Sequence, residues 1–398
     1  MKRLLSAALL CLAASLAPGA AVAADDTSGG ARAGAPEGTP VRFVNDWTWE
    51  GQAAPLLLAL DAGYFAEEGL DVTLDPGSGS VAALPKVAAG EYDLGSADIN
   101  SLIRWRDENP DVDMKAVFII YNTPPFAVIG RPSLGVMGPL DLEGHTLGAP
   151  AADGAFAQWP AFVRANGIIA DRVTIEDVGF PVREPALADG DVDAITGFSF
   201  TSVIGLEQRG VPPEDISLML MSDFGLDLYG NAIVVNPAFA EANPGLVRAF
   251  LRAAVRGYQQ TIRNPAAAVS HVLARAPDAS EDIELRRLVM AIGHHIVTEE
   301  VRRTGLGGIV EPRLEKAIAQ LADIHEFERS PRASDVFDAS YLPEMGRRLV
   351  PDEGDASVAA PSMPGTVPAT APDEPLDATD SAGTGTAADP HAVETATD

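Results

Sequence analysis

Asp61-Ala62-Gly63-Tyr64-Phe65-Ala66-Glu67-Glu68-Gly69-Leu70-Asp71-Val72-Thr73-Leu74 joins a helical pattern to a strand pattern through two glycines. Its first residues close a helical pattern that begins at Ala54. Gly63 supplies a left-handed stop for that helix, and Tyr64 and Phe65 are placed to pack back beneath it. From Leu70 the pattern changes to period two. Leu70, Val72 and Leu74 fall on one face, with Asp71 and Thr73 on the other. A short apolar run at residues 41–44 precedes the helix, so the unit reads strand, helix, strand.

The same alternation continues along the chain. Strands are expected at residues 41–44, 70–74, 93–96, 116–121, 146–149, 173–177, 193–196 and 216–221. Helical patterns lie between them at 54–62, 81–89, 155–166, 184–188 and 201–208. This spacing is that of parallel α/β units. Past Pro244 the strands stop, and 246–263, 265–274, 280–292, 298–303 and 312–326 read as helices. Two more apolar, extended pieces at 126–131 and 229–236 are flanked by Pro or Gly. Paired as a two-strand hinge, they divide the chain into lobe 1 (residues 40–129 and 232–350, with the C-terminal helices) and lobe 2 (residues 130–231).

The ends differ in character. Lys2 and Arg3 precede an apolar run, and Ala21-Val22-Ala23 offers a small-residue cleavage site, so residues 1–23 read as a secretory signal peptide. The run is too short to span a membrane. Cys11, the only cysteine, lies inside it, and Leu10 before it fits a lipoprotein cleavage site poorly. Residues 24–39 read as a Gly/Ala/Pro linker. Residues 351–398 hold ten carboxylates and no Lys or Arg, and such a tail is expected to be disordered. The formal charge of −29, with only four Lys in the chain, argues against nucleic acid or an anionic membrane surface as a partner.

Several segments in order resemble the periplasmic binding proteins of the nitrate, taurine/sulfonate and thiamine-pyrimidine type. Asn45-Asp46-Trp47 closes the first strand. Gly63-Tyr64-Phe65 and Glu68-Gly69-Leu70-Asp71-Val72 follow, then Leu84-Pro85-Lys86-Val87-Ala88-Ala89-Gly90 and Asp93-Leu94-Gly95. Asp141-Leu142-Glu143-Gly144 leads into Leu147-Gly148-Ala149-Pro150, and Leu187-Ala188-Asp189-Gly190-Asp191-Val192-Asp193-Ala194 completes the set. The resemblance implies a two-lobed type II periplasmic binding fold of the α/β class. It also implies a ligand cleft between lobes and a role as the solute-binding component of an ABC importer.

In open α/β sheets a ligand sits beyond the carboxyl ends of the strands, against helix N-termini. That places the rim at residues 46–52, 77–80, 97–100, 121–125, 151–155, 197–200 and 224–229. Trp47, Trp49 and Glu50 combine flat apolar faces with an acceptor, which suits a planar heterocycle or an ammonium group. Asp46 is expected to tie the loop backbone. Ser78 and Ser80 belong to a Gly-Ser turn, with Ser80 the expected N-cap of the next helix. Asp98 and Asn100 either cap a helix or meet the ligand, and Tyr121 follows on the next loop. On lobe 2, Asp153 stands where sulfonate and nitrate binders tend to offer hydroxyls. Phe198 and Tyr229 complete an aromatic wall, with Phe200 equally at home in the core. Glu50, Asp98, Asp153 and Asp227 gather on the rim while no Arg or Lys falls on it, which favours a neutral or cationic ligand over an oxyanion.

The expected function is capture of a thiamine-pyrimidine-like heteroaromatic or an amine by cleft closure, by a periplasmic monomer that meets an ABC permease and ATPase. A taurine, sulfonate or nitrate binder is the alternative ligand class. A pyrimidine-synthase-like enzyme is the alternative activity. That synthase mechanism uses a cysteine-rich iron motif, and this chain has no cysteine after Cys11. His294 and His295 are adjacent on a helical pattern and so point about 100° apart, which reads as two partly exposed helix residues rather than a shared metal site. No Gly-x-Ser-x-Gly elbow or His-Glu-x-x-His occurs. No catalytic residue, metal or cofactor is expected.

Overall fold

The computed structural model describes residues 38–351 together with Met363, Gly365 and Thr366. The expected signal peptide, most of the linker and most of the acidic tail lie outside the described residues. Each of the ten extended segments read from the sequence forms a strand. These are β1 (Thr39–Val44), β2 (Leu70–Asp75), β3 (Leu94–Asp98), β4 (Lys115–Ile119) and β5 (Phe126–Gly130). They continue as β6 (Thr146–Gly148), β7 (Thr174–Glu176), β8 (Ala194–Phe198), β9 (Ser217–Leu220) and β10 (Asn231–Val235).

The strands form two five-stranded sheets with the orders β2-β1-β3-β10-β4 and β7-β6-β8-β5-β9. Each sheet has the same plan. Three strands run parallel, one antiparallel strand follows (β10 or β5), and the outermost strand pairs antiparallel with it. The α/β class and the two-lobed plan are therefore as read from the sequence, but the hinge is not. β5 and β10 do not pair with each other; each enters the interior of a different sheet. All five residues of each are buried, and a strand apolar on both faces belongs inside a covered sheet rather than in an exposed ribbon. The chain passes between sheets at residues 120–125 and 221–230, so the change of sheet precedes the expected border at 129/130. The two passages touch through the backbone, Gly230 N–H donating to Tyr121 O at 2.8 Å, and Met221 N–H donates to Phe126 O at the start of β5 at 2.9 Å.

Residues 61–74 fold as their pattern implies, with one added turn. Helix Ala54–Asp61 ends ahead of Gly63 at φ 76°, and a four-residue helix, Tyr64–Glu67, precedes β2. Phe65 is buried and stacks on Phe250 with ring centroids 4.8 Å apart. Phe250 belongs to the long helix Pro244–Arg263, which lies against Ala54–Asp61 so closely that a Cβ on Gly257 would stand 2.2 Å from Pro55 O. The C-terminal helices thus cover the first sheet. Helix Glu281–Met290 runs on as a wider π-helical turn, Ala291–Ile296. The acidic tail is not without structure throughout. Gly365 O accepts Leu218 N–H at 2.7 Å and Thr366 bridges the same residue, so this piece lies along β9, whose outer edge has free backbone donors.

Candidate functional site

A cavity opens between the two sheets at the carboxyl ends of their parallel strands. Asp46, Trp47, Gly79 and Ser80 line it from the first sheet, and Asp153, Phe180, Arg183, Phe198 and Thr201 from the second. The space left for water-sized molecules between the walls is only about 30 Å³, far below the hundreds of Å³ that a small-molecule ligand fills, so the cleft stands nearly closed on its own side chains. Trp47 and Phe180 pinch it, meeting edge to face with centroids 4.5 Å apart.

Asp46 sits at the end of β1. Ser96 Oγ–H donates to its Oδ1 at 2.8 Å, and Asn231 Nδ2 donates to its Oδ2 at 2.7 Å. Its backbone N–H in turn donates to Ser96 Oγ at 2.7 Å. Burial pushes this carboxyl above its ordinary value, and the hydrogen bonds only partly offset that. The loop-tying role expected for Asp46 is present, and the residue also faces the cavity. Trp47 Nε1 and Ser80 Oγ are buried with no hydrogen-bond partner among the described residues. A buried donor left unmade costs about 1–3 kcal/mol, so both mark places where a bound molecule gains by offering an acceptor. Ser80 does not cap a helix: the next helix is Ala83–Ala88, with Ala82 at the N-cap and no side-chain cap.

On the second sheet, Asp153 caps helix Gly154–Ala157 by accepting Ala155 N–H at 3.1 Å and also accepts Thr196 Oγ1–H at 2.8 Å. Burial raises its carboxyl although Arg183 draws it the other way. Arg183 is buried. Its Nε and Nη2 donate to Glu184 Oε1 at 2.8 and 2.6 Å, while Nη1 stands 3.7 Å from Asp153 Oδ2. The last distance is too long for a hydrogen bond, so Nη1 keeps donors for a ligand. Gly197 lets the guanidinium lie against β8, since a Cβ there would be 3.2 Å from Arg183 Cζ.

Arg183 corrects the expectation that no basic residue reaches the rim. It comes from helix Phe180–Asp189, which starts earlier than the expected 184–188 and brings Phe180 to the mouth. The signal was in the sequence: Pro181 after Gly179-Phe180 marks a helix start. Thr201 reaches the wall from the first turn of helix Ser199–Glu207, where a helical pattern alone does not show what it faces.

Of the expected site residues, Trp47, Ser80, Asp153 and Phe198 share the cavity wall. Trp49 instead packs against the helical cluster of Ala54, Leu57 and Leu288. Glu50 lies beside the cavity, accepting Thr201 Oγ1–H at 3.2 Å from across the cleft and standing 3.4 Å from Arg287 Nε. Ser78 is exposed and off the wall. Asp98 caps helix Ile99–Glu108 and accepts Gln158 Nε2–H at 3.0 Å from the second sheet. Asn100 Nδ2 donates to Asp98 and to Tyr229 O. Tyr121 packs with Phe198, Phe200 and His295. Tyr229 is fully buried away from the cavity, its hydroxyl donating to Glu300 at 2.7 Å and accepting Val310 N–H at 2.8 Å, with Arg313 over its ring. Asp227 pairs with Arg313 and Lys316 on the outer side. His295 is fully buried, not an exposed helix residue. Among the described residues no group of three or more His, Cys, Asp or Glu is placed to hold a metal ion.

Comparison with known proteins agrees with this architecture. The chain is 27% identical over 241 residues to the riboflavin-binding protein RibY of Chloroflexus aurantiacus, covering 60% of this chain and 67% of that one. It is 28% identical over 243 residues to the formylaminopyrimidine-binding protein of Halalkalibacterium halodurans, covering 60% and 72%. The periplasmic nitrate-binding protein NrtA of Synechocystis PCC 6803 has the same fold, with a TM-score of 0.59 at 11% identity over 80% of this chain and 93% of that one. Residues 50–268, more than half of the sequence, match the family described as NMT1/THI5 like, and the chain belongs to that family.

Proposed function

We propose that this protein captures a small, planar, uncharged heteroaromatic solute in the cleft and delivers it, chemically unchanged, to a membrane importer. The carrying observation is the pair of unpartnered buried groups, Trp47 Nε1 and Ser80 Oγ, on a cavity walled by Trp47, Phe180 and Phe198. Such walls take a flat ring, and the free donors, with Arg183 Nη1, call for ring nitrogens or carbonyl oxygens along its edge. Asp46 and Asp153 offer acceptors for ring N–H or amino groups. The names of the two curated relatives, a riboflavin binder and a formylaminopyrimidine binder, fall in this chemical class.

Arg183 does not turn the site into an oxyanion trap. Its charge faces the carboxylates of Glu184 and Asp153, and Asp46 lies on the same cavity. The leader-like residues 1–23 support action outside the cytoplasm, and the family fold supports a permease and ATPase as partners, with closure of the cleft around the solute as the mechanism.

A thermal-shift panel of pyrimidines, flavins, amines, amino acids, sulfonates and nitrate tests the reading. A ligand at 100 times its Kd adds about 2.7 kcal/mol of stability. Shifts confined to sulfonates or nitrate overturn it. Mass analysis of the recovered ligand decides the rest: an unchanged mass supports carriage, and conversion means that the protein is an enzyme.

A further inference from the structure

His295 ties together three parts of the chain that meet where the two sheets join. It sits in the π-helical turn Ala291–Ile296 that extends helix Glu281–Met290, and such turns are frequent at functional sites. The imidazole is fully buried. Nδ1 is 3.1 Å from Thr123 O, and Nε2 is 3.0 Å from Ser199 Oγ. A carbonyl only accepts, which assigns the proton to Nδ1 and leaves Nε2 to accept from the Ser199 hydroxyl. The His295 carbonyl also accepts Thr123 N–H at 3.2 Å.

Thr123 belongs to the first passage between sheets. Ser199 opens helix Ser199–Glu207 of the second sheet, and its own N–H donates to Pro125 O at 2.8 Å in that same passage. The result is a closed circuit from the C-terminal helices to the passage, to the second sheet, and back. Phe198, one residue before Ser199, and Thr201, two after it, are both on the cavity wall. Filling the core does not require an imidazole bonded on both nitrogens. Burying one is costly unless both are satisfied, so the polar circuit itself is what this residue contributes.

We propose that His295 is a positioning residue for cleft closure: through Ser199 it fixes the angle at which Phe198 and Thr201 are presented to the first sheet. This rests on the cleft being the ligand site.

The test uses the full chain in a Cys11→Ser background with spin labels at two exposed sites, Glu241→Cys beside the first sheet and Ile175→Cys on the second. Distance distributions are measured without ligand and with riboflavin as the probe. His295→Asn keeps a group near Thr123 and loses Ser199, while Ser199→Ala is the milder change. Each is expected to broaden the label distance and raise the riboflavin dissociation rate about tenfold, and the double variant should be no worse than either single one. Ser199→Thr, which keeps a hydroxyl, should restore the parent distribution. A ligand-free distribution that matches the parent in both single variants overturns the proposal, as do fully additive effects on dissociation. Trp47→Ala separates the two readings. If it weakens riboflavin binding while the His295 and Ser199 variants behave as the parent, only the positioning role fails; if riboflavin binding survives it undiminished, the cleft reading fails.

Discussion

Trp47 and Phe180, from opposite sheets, meet edge to face across the cleft with their rings at 67° to one another. Each covers apolar surface of the other, so the cleft has no open slot for a flat molecule at that point. A bound ring has to part them and take over both contacts. Phe180 also carries the Arg183 guanidinium, 5.4 Å from its ring centre, so the aromatic pinch and the polar wall move as one unit of helix Phe180–Asp189.

Trp47→Ala is expected to weaken ligand binding by about 2 kcal/mol, roughly 30-fold, through lost stacking area and a lost donor. Trp47→Phe keeps an aromatic face and loses only Nε1–H. It should weaken binding by about 1 kcal/mol, roughly fivefold. Isothermal titration calorimetry reads both, and equal losses would assign the whole effect to the indole nitrogen.

Replacing Arg183 by Ala leaves Asp153 and Glu184 without their cation in a buried setting. Breaking such a cluster from one side costs about 3 kcal/mol or more, and urea unfolding of the ligand-free protein should show it. Adding Glu184→Gln to Arg183→Ala should recover part of that loss. No recovery would mean that packing, not charge, is what Arg183 provides.

Burial, with His294 nearby, lowers the His295 pKa from 6.5 to about 3, against the pull of the Thr123 carbonyl. The ring is therefore neutral in the folded chain while its unfolded counterpart takes a proton below about pH 6.5. The stabilising contribution is whole above that value and declines as pH falls toward 3. Relative to His295→Gln, the parent protein should lose about 1.4 kcal/mol per pH unit between pH 6 and 4. Unfolding free energies of the two proteins at matched pH check the slope, and parallel curves would place the proton elsewhere.

Gly154 faces Ser80 across the cleft, and a Cβ on it would stand 2.3 Å from Ser80 Oγ and 3.3 Å from Phe126. Gly154→Val should prop the cleft open. The expected signs are a larger radius of gyration by small-angle scattering and at least about tenfold weaker binding, with some fall in melting temperature from the added contact with Phe126. An unaltered affinity would show that the walls need not approach this closely.

The sequence made the strands readable because their periodicity is local: alternation at Leu70–Leu74 or a run such as Phe126–Gly130 needs no knowledge of partners. Which sheet a strand joins is not local, and β5 and β10, alike in pattern, enter different sheets. The same division holds at the site. Trp47, Ser80, Asp153 and Phe198 lie at strand ends, where the topology of an open sheet points to the ligand. Arg183 and Thr201 sit inside helices, and what they face depends on how those helices pack. Trp49 and Tyr229 carry the right chemistry but turn toward neighbouring helices, a choice that rotamer and packing make and composition does not.

The position of β10 has a consequence for how the chain assembles. It alone joins β3 to β4 in the first sheet, yet in sequence it follows every strand of the second. The second sheet can close on contacts within one continuous segment, while the first must hold an unpaired β3 edge until the returning strand arrives. Long-range pairings of this kind are slow to form and leave sticky edges exposed meanwhile. Of the two halves, the one synthesised first is the one that finishes folding last.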